Sequence, residues 1–141
     1  MSSFNGKWEL DKKKTTAVGA PEELREDISL DGSKLMIKSR YREPKSNMYP
    51  LLWVGVMTYE LPLTADGTEK VNQIGPFVHK SKTSIEGQKM TTDFTATTEG
   101  GTVTGQWIRT LASEGKEMTL QIIASSTDGR KMDQTLFFRR K

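Results

Sequence analysis

Gly87, Gly101, Gly115 and Gly129 follow one another at intervals of 14 residues, three of them behind an acidic residue and one behind a second glycine. Glycine supplies the positive φ that tight hairpin turns demand, so the spacing cuts this part of the chain into hairpins of constant height. Asp31-Gly32 and Asp66-Gly67 carry the same signal toward the N-terminus. The intervening segments are not similar to one another, so the period belongs to the backbone and is no sequence repeat. About ten residues per strand at roughly 3.4 Å each gives strands of about 34 Å, a length suited to a barrel wall.

The residues between the turns alternate with period two. Met118, Leu120, Ile122 and Ala124 share one face, with Thr119, Gln121 and Ser125 on the other. Phe4, Gly6, Trp8 and Leu10 form a similar face, as do Leu35, Ile37, Ser39 and Tyr41 against Lys34, Lys38 and Arg40. One buried and one wet face is the signature of an antiparallel sheet packed on one side. The chain holds 17 threonines, and β-branched residues suit a pleated surface. Strands are expected near 6–14, 24–30, 34–42, 52–62, 69–75, 78–86, 89–98, 103–112, 117–126 and 131–139. The Gly75-Pro76 step is either a turn or a bend within one strand, so the count is eight to ten. Helix is confined to a short turn over 21–26, where Pro21 suits a first helical position and Glu22 and Glu23 its positive end. Only the 15–23 and 43–50 connections are long. Tight turns between strands of uniform length solve the edge problem by closing the sheet. The chain therefore reads as all-β, a single antiparallel up-and-down β-barrel occupying one domain over residues 1–141.

Composition removes several functions. There is no cysteine, hence no disulfide, thiol nucleophile or thiolate metal site, and the single histidine, His79, excludes a multi-histidine cage. No metal, cofactor or catalytic residue is expected, and the chain reads as a non-enzyme. No run approaches 18 apolar residues, so no transmembrane segment is expected. The net charge is +3, and the tightest basic clusters, Lys12-Lys13-Lys14 and Arg139-Arg140-Lys141, read as solvated strand ends; nucleic acid is not an expected partner. Met1-Ser2-Ser3 carries no apolar run, which points to the cytoplasm if Met1 is native, and to the periplasm or secretion if a signal was trimmed.

A few residues invite a chemical reading. Arg109 lies in Val103-x-Gly105-x-Trp107-x-Arg109-x-Leu111, an otherwise apolar face. If Trp107 points inward, so does Arg109, and its guanidinium then needs an acid, ordered water or an anionic ligand. In the opposite register Thr104, Gln106, Ile108 and Thr110 face inward instead. Asp93 and Asp133 fall on outer faces in the inward-Arg109 register. Leu51–Met57 is apolar on both faces; Trp53, Gly55, Met57, Tyr59 and Leu61 suit an interior wall, and Leu52, Val54 and Val56 then meet a lid, the 15–23 loop or a second copy. His79 reads as a surface or rim histidine among Lys80 and Lys82. Glu22-Glu23 and Glu26-Asp27 read as solvated acids in a polar loop, and Gly100-Gly101 as a turn.

Phe4-Asn5-Gly6-Lys7-Trp8-Glu9-Leu10 resembles the opening strand of the calycin superfamily, the lipocalins and fatty-acid-binding proteins, with its Gly-x-Trp. Together with Ala20-Pro21, Gly105-Gln106-Trp107-Ile108-Arg109 and Ser126-Thr127-Asp128-Gly129, the whole chain resembles small bacterial lipocalin-like proteins. The resemblance implies a barrel whose Trp8 plugs one end beneath a basic residue of the last strand, Arg139 or Arg140. It also implies an interior that takes a small apolar or amphipathic molecule, with Arg109, Trp107, Trp53, Tyr59, Phe94 and Met118 as the expected binding residues. Two departures stand out: residues 15–23 are too short for the helical pair of fatty-acid-binding proteins, and Leu136-Phe137-Phe138 lacks their Arg-x-Tyr. The alternative is a structural or interaction module with a filled barrel, monomeric or dimerising through the 51–57 strand. A cavity of about 300 Å³ or more would separate the first reading from the second.

Overall fold

A computed structural model describes residues 3–15, 21–44, 56 and 60–141. Its strands are β1 (Gly6–Leu10), β2 (Pro21–Asp31), β3 (Lys34–Pro44), β4 (Glu60–Thr64), β5 (Asp66–Ile74), β6 (Phe77–Glu86), β7 (Lys89–Thr98), β8 (Gly101–Ala112), β9 (Glu117–Ser126) and β10 (Lys131–Arg140). They form one antiparallel sheet in the order β4-β3-β2-β1-β10-β9-β8-β7-β6-β5. Sequential strands pair throughout except β4 and β5, and the first and last strands, β1 and β10, pair with each other, so the architecture is the expected up-and-down barrel.

The glycine punctuation sits where the turns are. Gly32, Gly75, Gly87 and Gly129 all take positive φ in the turns between strands. Gly75-Pro76 is a two-residue turn, since Ile74 and Phe77 are directly paired, and this raises the count to ten strands. Gly67 falls in a bulge early in β5, where the register shifts between Asp66 and Glu69. The only helical element among the described residues is a single 3-10 turn, Ser113–Gly115. The helical turn expected over 21–26 is strand: β2 starts at Pro21 and pairs with β3 from its first residue. Proline lacks an amide hydrogen and fits a strand's first position as well as a helix's, so the local signal had two readings. β1 is also shorter than the expected 6–14, ending at Leu10.

The inward faces make one continuous core. Leu24, Ile28, Leu35, Ile37, Leu61 and Leu63 line one side, and Met90, Phe94, Trp107, Met118, Leu120, Ile122, Leu136 and Phe138 the other, all buried. Trp8 is buried at one end and donates its indole N–H to the Phe4 carbonyl at 3.0 Å. The Arg140 guanidinium lies 4.2 Å from the centre of the Trp8 ring. It also donates to the carbonyls of Asn5, Ser3 and Gly115, at 2.6, 2.6 and 2.9 Å. Arg140, rather than Arg139, is thus the basic residue over the plug; Arg139 reaches outward to Glu9. Tyr41, expected to share the inward face of β3, is 48% exposed near the strand's far end, beyond the packed interior. No helix among the described residues is long and apolar enough to cross a membrane.

β4 and β5 are the two ends of the sheet, joined through Ala65 without a ladder of their own. Side chains bridge them instead. Asn72 donates its amide to the Pro62 carbonyl at 2.8 Å, and Thr64 its hydroxyl to the Thr68 carbonyl at 3.2 Å.

Candidate functional site

The pairing of β7, β8 and β9 decides the open question about Arg109. Trp107 is opposite Thr92 and Ile122, and Arg109 opposite Met90 and Leu120. All six are buried, so Trp107 and Arg109 both face the interior, with Phe94 and Met118. Asp93 and Asp133 face outward and accept hydrogen bonds from Gln106 and Gln121. Trp53 and Tyr59 lie outside the described residues, as does the 51–57 strand apart from Val56. Val56 is buried, and its carbonyl accepts the hydroxyl of Ser39, an inward residue of β3, at 3.2 Å.

The partner of Arg109 is an acid that the sequence reading put in solvent. Glu26 is on β2, separated from β8 by the three strands β1, β10 and β9, and its side chain crosses the interior. Arg109 Nε donates to Glu26 Oε1 at 3.3 Å and Nη2 to Oε2 at 3.0 Å, with both side chains almost wholly buried. Once Pro21–Asp31 is a strand, period two places Glu26 between Leu24 and Ile28 on the inward face. Leu24-x-Glu26-x-Ile28-x-Leu30 was the signal that would have found it.

His79 is likewise interior, not a surface or rim residue. It is fully buried and stacked with Phe94 and Trp107, ring centres 5.4 and 5.1 Å away, while Phe94 and Trp107 are 4.6 Å apart. Burial lowers its pKa to about 4, so the ring is neutral at pH 7. Lys80 and Lys82 are exposed, and in a strand that alternation forces His79, Ser81 and Thr83 inward. Thr83 shares a hydrogen bond of 2.9 Å with Thr92.

These side chains bring together an unusual set of polar atoms. Both ring nitrogens of His79, the Ser81 hydroxyl, the Trp107 indole nitrogen and Arg109 Nη1 are buried with no hydrogen-bond partner among the described residues. All belong to β6 and β8, on the wall that carries the aromatic trio. Around them the interior is tightly filled: Glu26, Met90, Thr92, Ala96, Val103, Trp107, Met118, Leu120 and Ile122 each have 0% exposure. A concavity of about 300 Å³ opens beside Lys7, Trp8, Arg25, Lys38 and Arg40, and one of about 480 Å³ beside Lys80, Lys82, Thr95 and Gln106, with Ser81 and Phe94 also in its lining. Among the described residues no group of three or more histidine, aspartate or glutamate side chains is placed to hold a metal ion.

No protein-family model matches the chain, and comparison with curated proteins gives no match. Solved structures do match along its whole length. Lipid binding protein 8 of Caenorhabditis elegans superposes with a TM-score of 0.63 at 11% identity, covering 100% of this chain and 99% of that one. The ileal bile-acid-binding protein of zebrafish, solved with cholic acid, gives 0.59 at 18% identity over 99% and 100%. Fatty-acid-binding protein 1 of Echinococcus granulosus gives 0.58 at 12% identity over 97% and 96%. These relatives in structure are named as binding proteins. The ten-strand, nearly closed up-and-down barrel of this chain thus has the fold of these fatty-acid- and bile-acid-binding proteins.

Proposed function

We propose that the barrel interior binds a small amphipathic molecule without transforming it. The observation that carries this reading is the set of five unpaired polar atoms on β6 and β8. Each such atom costs a folded protein about 1–3 kcal/mol when nothing satisfies it. Five together approach the whole stability of a typical domain, about 5–15 kcal/mol. A barrel evolved only as a filled scaffold would place apolar groups there, as it does on β9. The polar end of a ligand facing His79, Ser81, Trp107 and Arg109, with its apolar part against Phe94 and Met118, removes the penalty. Among the described residues the Ser81 hydroxyl is not hydrogen-bonded to His79 and His79 has no carboxylate orienting it, which favours binding over catalysis. Trp53 and Tyr59 remain part of the proposed wall on the sequence reading alone.

The near-zero exposure of most inward side chains among the described residues favours a second reading, a barrel filled by its own side chains that serves as a structural or interaction module. On the first reading side chains move aside as the ligand enters, which confines it to small molecules. Titration of the isotope-labelled protein with Nile red or decanol separates the two. Ligand binding predicts saturable shifts at the Trp107 indole N–H, the His79 ring and the Arg109 guanidinium. Unchanged spectra, or shifts confined to outward residues such as Lys80 and Gln106, would leave the filled barrel as the function.

A further inference from the structure

Resting on the binding reading above, we infer that the interior selects an uncharged ligand bearing hydrogen-bond acceptors and discriminates against carboxylates and phosphates, because Glu26 already neutralises Arg109. Among the described residues the wholly buried polar side chains are Glu26, Ser39, His79, Ser81, Thr83, Thr92 and Arg109. Of these, Glu26 and Arg109 form an ion pair, facing each other through two contacts of 3.0 and 3.3 Å. The interior formed by the described residues therefore has no net charge to offer. An anion entering beside Arg109 meets attraction from the guanidinium and repulsion of similar size from the Glu26 carboxylate. The two largely cancel, and the cost of stripping water from the anion is left uncompensated. A neutral ligand escapes that cost.

The atoms left over define what it should carry. Arg109 Nη1 and Trp107 Nε1 are donors only; the Ser81 hydroxyl and the neutral His79 ring each offer one donor and one acceptor. Donors outnumber acceptors, so carbonyl, ester, amide or hydroxyl oxygens suit the site. The stacked rings of His79, Phe94 and Trp107 give the adjoining surface for a flat or unsaturated apolar part.

The experiment compares probes with one chain and different heads: decanoate, decanamide and decanol, titrated at pH 7.4 into the full chain. Decanamide and decanol should bind at least about tenfold more tightly than decanoate, the loss expected when an ion is desolvated without a partner. Glu26→Gln leaves Arg109 uncompensated and should reverse the order, raising decanoate affinity about tenfold with the neutral probes little changed. If Glu26→Gln fails to fold, Glu26→Gln/Arg109→Gln keeps an amide pair and zero net charge, and should keep the wild-type preference. Decanoate binding as tightly as decanamide to the wild type would overturn the inference and leave the binding reading standing. So would a selective loss of decanoate binding in the double variant. Failure of all three probes to bind would remove both.

Discussion

At the scale of single residues, the Arg109–Glu26 pair and His79 make different demands. Neither member of the pair is free to lose the other. Removing Arg109 leaves a buried, unpaired carboxylate, a situation that costs about 3–5 kcal/mol in other proteins. Arg109→Met should therefore lower the unfolding free energy by about that amount in urea denaturation, and Arg109→Met/Glu26→Leu should recover most of it. Equal destabilisation in single and double variants would mean that the pair is not coupled. His79 acts through pH. Its folded pKa is depressed to about 4 by burial, against 6.5 for the ordinary side chain. The unfolded chain thus takes up a proton between those values that the folded chain resists, so this contribution is fully present above pH 6.5 and lost as pH falls toward 4. The window corresponds to about 3 kcal/mol. As the only histidine, its ring proton resonances can be followed without ambiguity, and a midpoint near 6.5 in the folded protein would contradict the buried assignment. Arg109 was legible in the sequence as a charge on an apolar face. Its partner was missed because Glu26-Asp27 reads as a pair of solvated acids, although the strand expected over 24–30 sets Glu26 between Leu24 and Ile28 on one face.

At the scale of elements, the strands followed from alternation and from the glycine spacing, and the misreadings cluster where a residue serves two structures. Pro21 opens a strand with the same lack of an amide hydrogen that lets it open a helix. His79 escaped because its inward neighbours, Ser81 and Thr83, are polar, so β6 has no apolar face to announce its register; the exposed Lys80 and Lys82 set it instead. Gly105 shows a constraint that no periodicity reveals. It faces inward on β8 without positive φ, and a Cβ there would press on the Ile123 carbonyl and come within 2.8 Å of the Ala124 Cα. The obstacle is backbone, which cannot swing away as a flexible side chain can. Gly105→Ala should accordingly cost about 1–3 kcal/mol, as overpacking does, and disturb amides on β8 and β9 first. Trp8→Ala, which empties the plug beneath Arg140, should cost about 3–5 kcal/mol. A Trp8→Ala protein with an unchanged melting temperature would deny the plug its structural role.

For the whole molecule, closure is the property that turn spacing predicted best, and its incompleteness is the part it could not. Which two strands fail to pair depends on the bulge at Asp66–Glu69 and on the short β4, neither of which alternation discloses. The result is a barrel joined by backbone ladders between all neighbours but one. Between β4 and β5 the link is made by side chains, chiefly the Asn72 amide on the Pro62 carbonyl. A tightly filled interior needs some place to yield if anything is to enter, and a cooperative sheet opens where the fewest backbone hydrogen bonds must break. Asn72→Ala removes one bond at this seam, worth about 1 kcal/mol of global stability. Its local effect should be larger in kind: amide exchange should accelerate across β4 and β5 while β8 and β9, paired on both sides, keep wild-type protection. If the seam is also the route inward, the same substitution should speed both uptake and release of decanol. Uniform acceleration over all ten strands would show that the barrel opens only by unfolding as a whole.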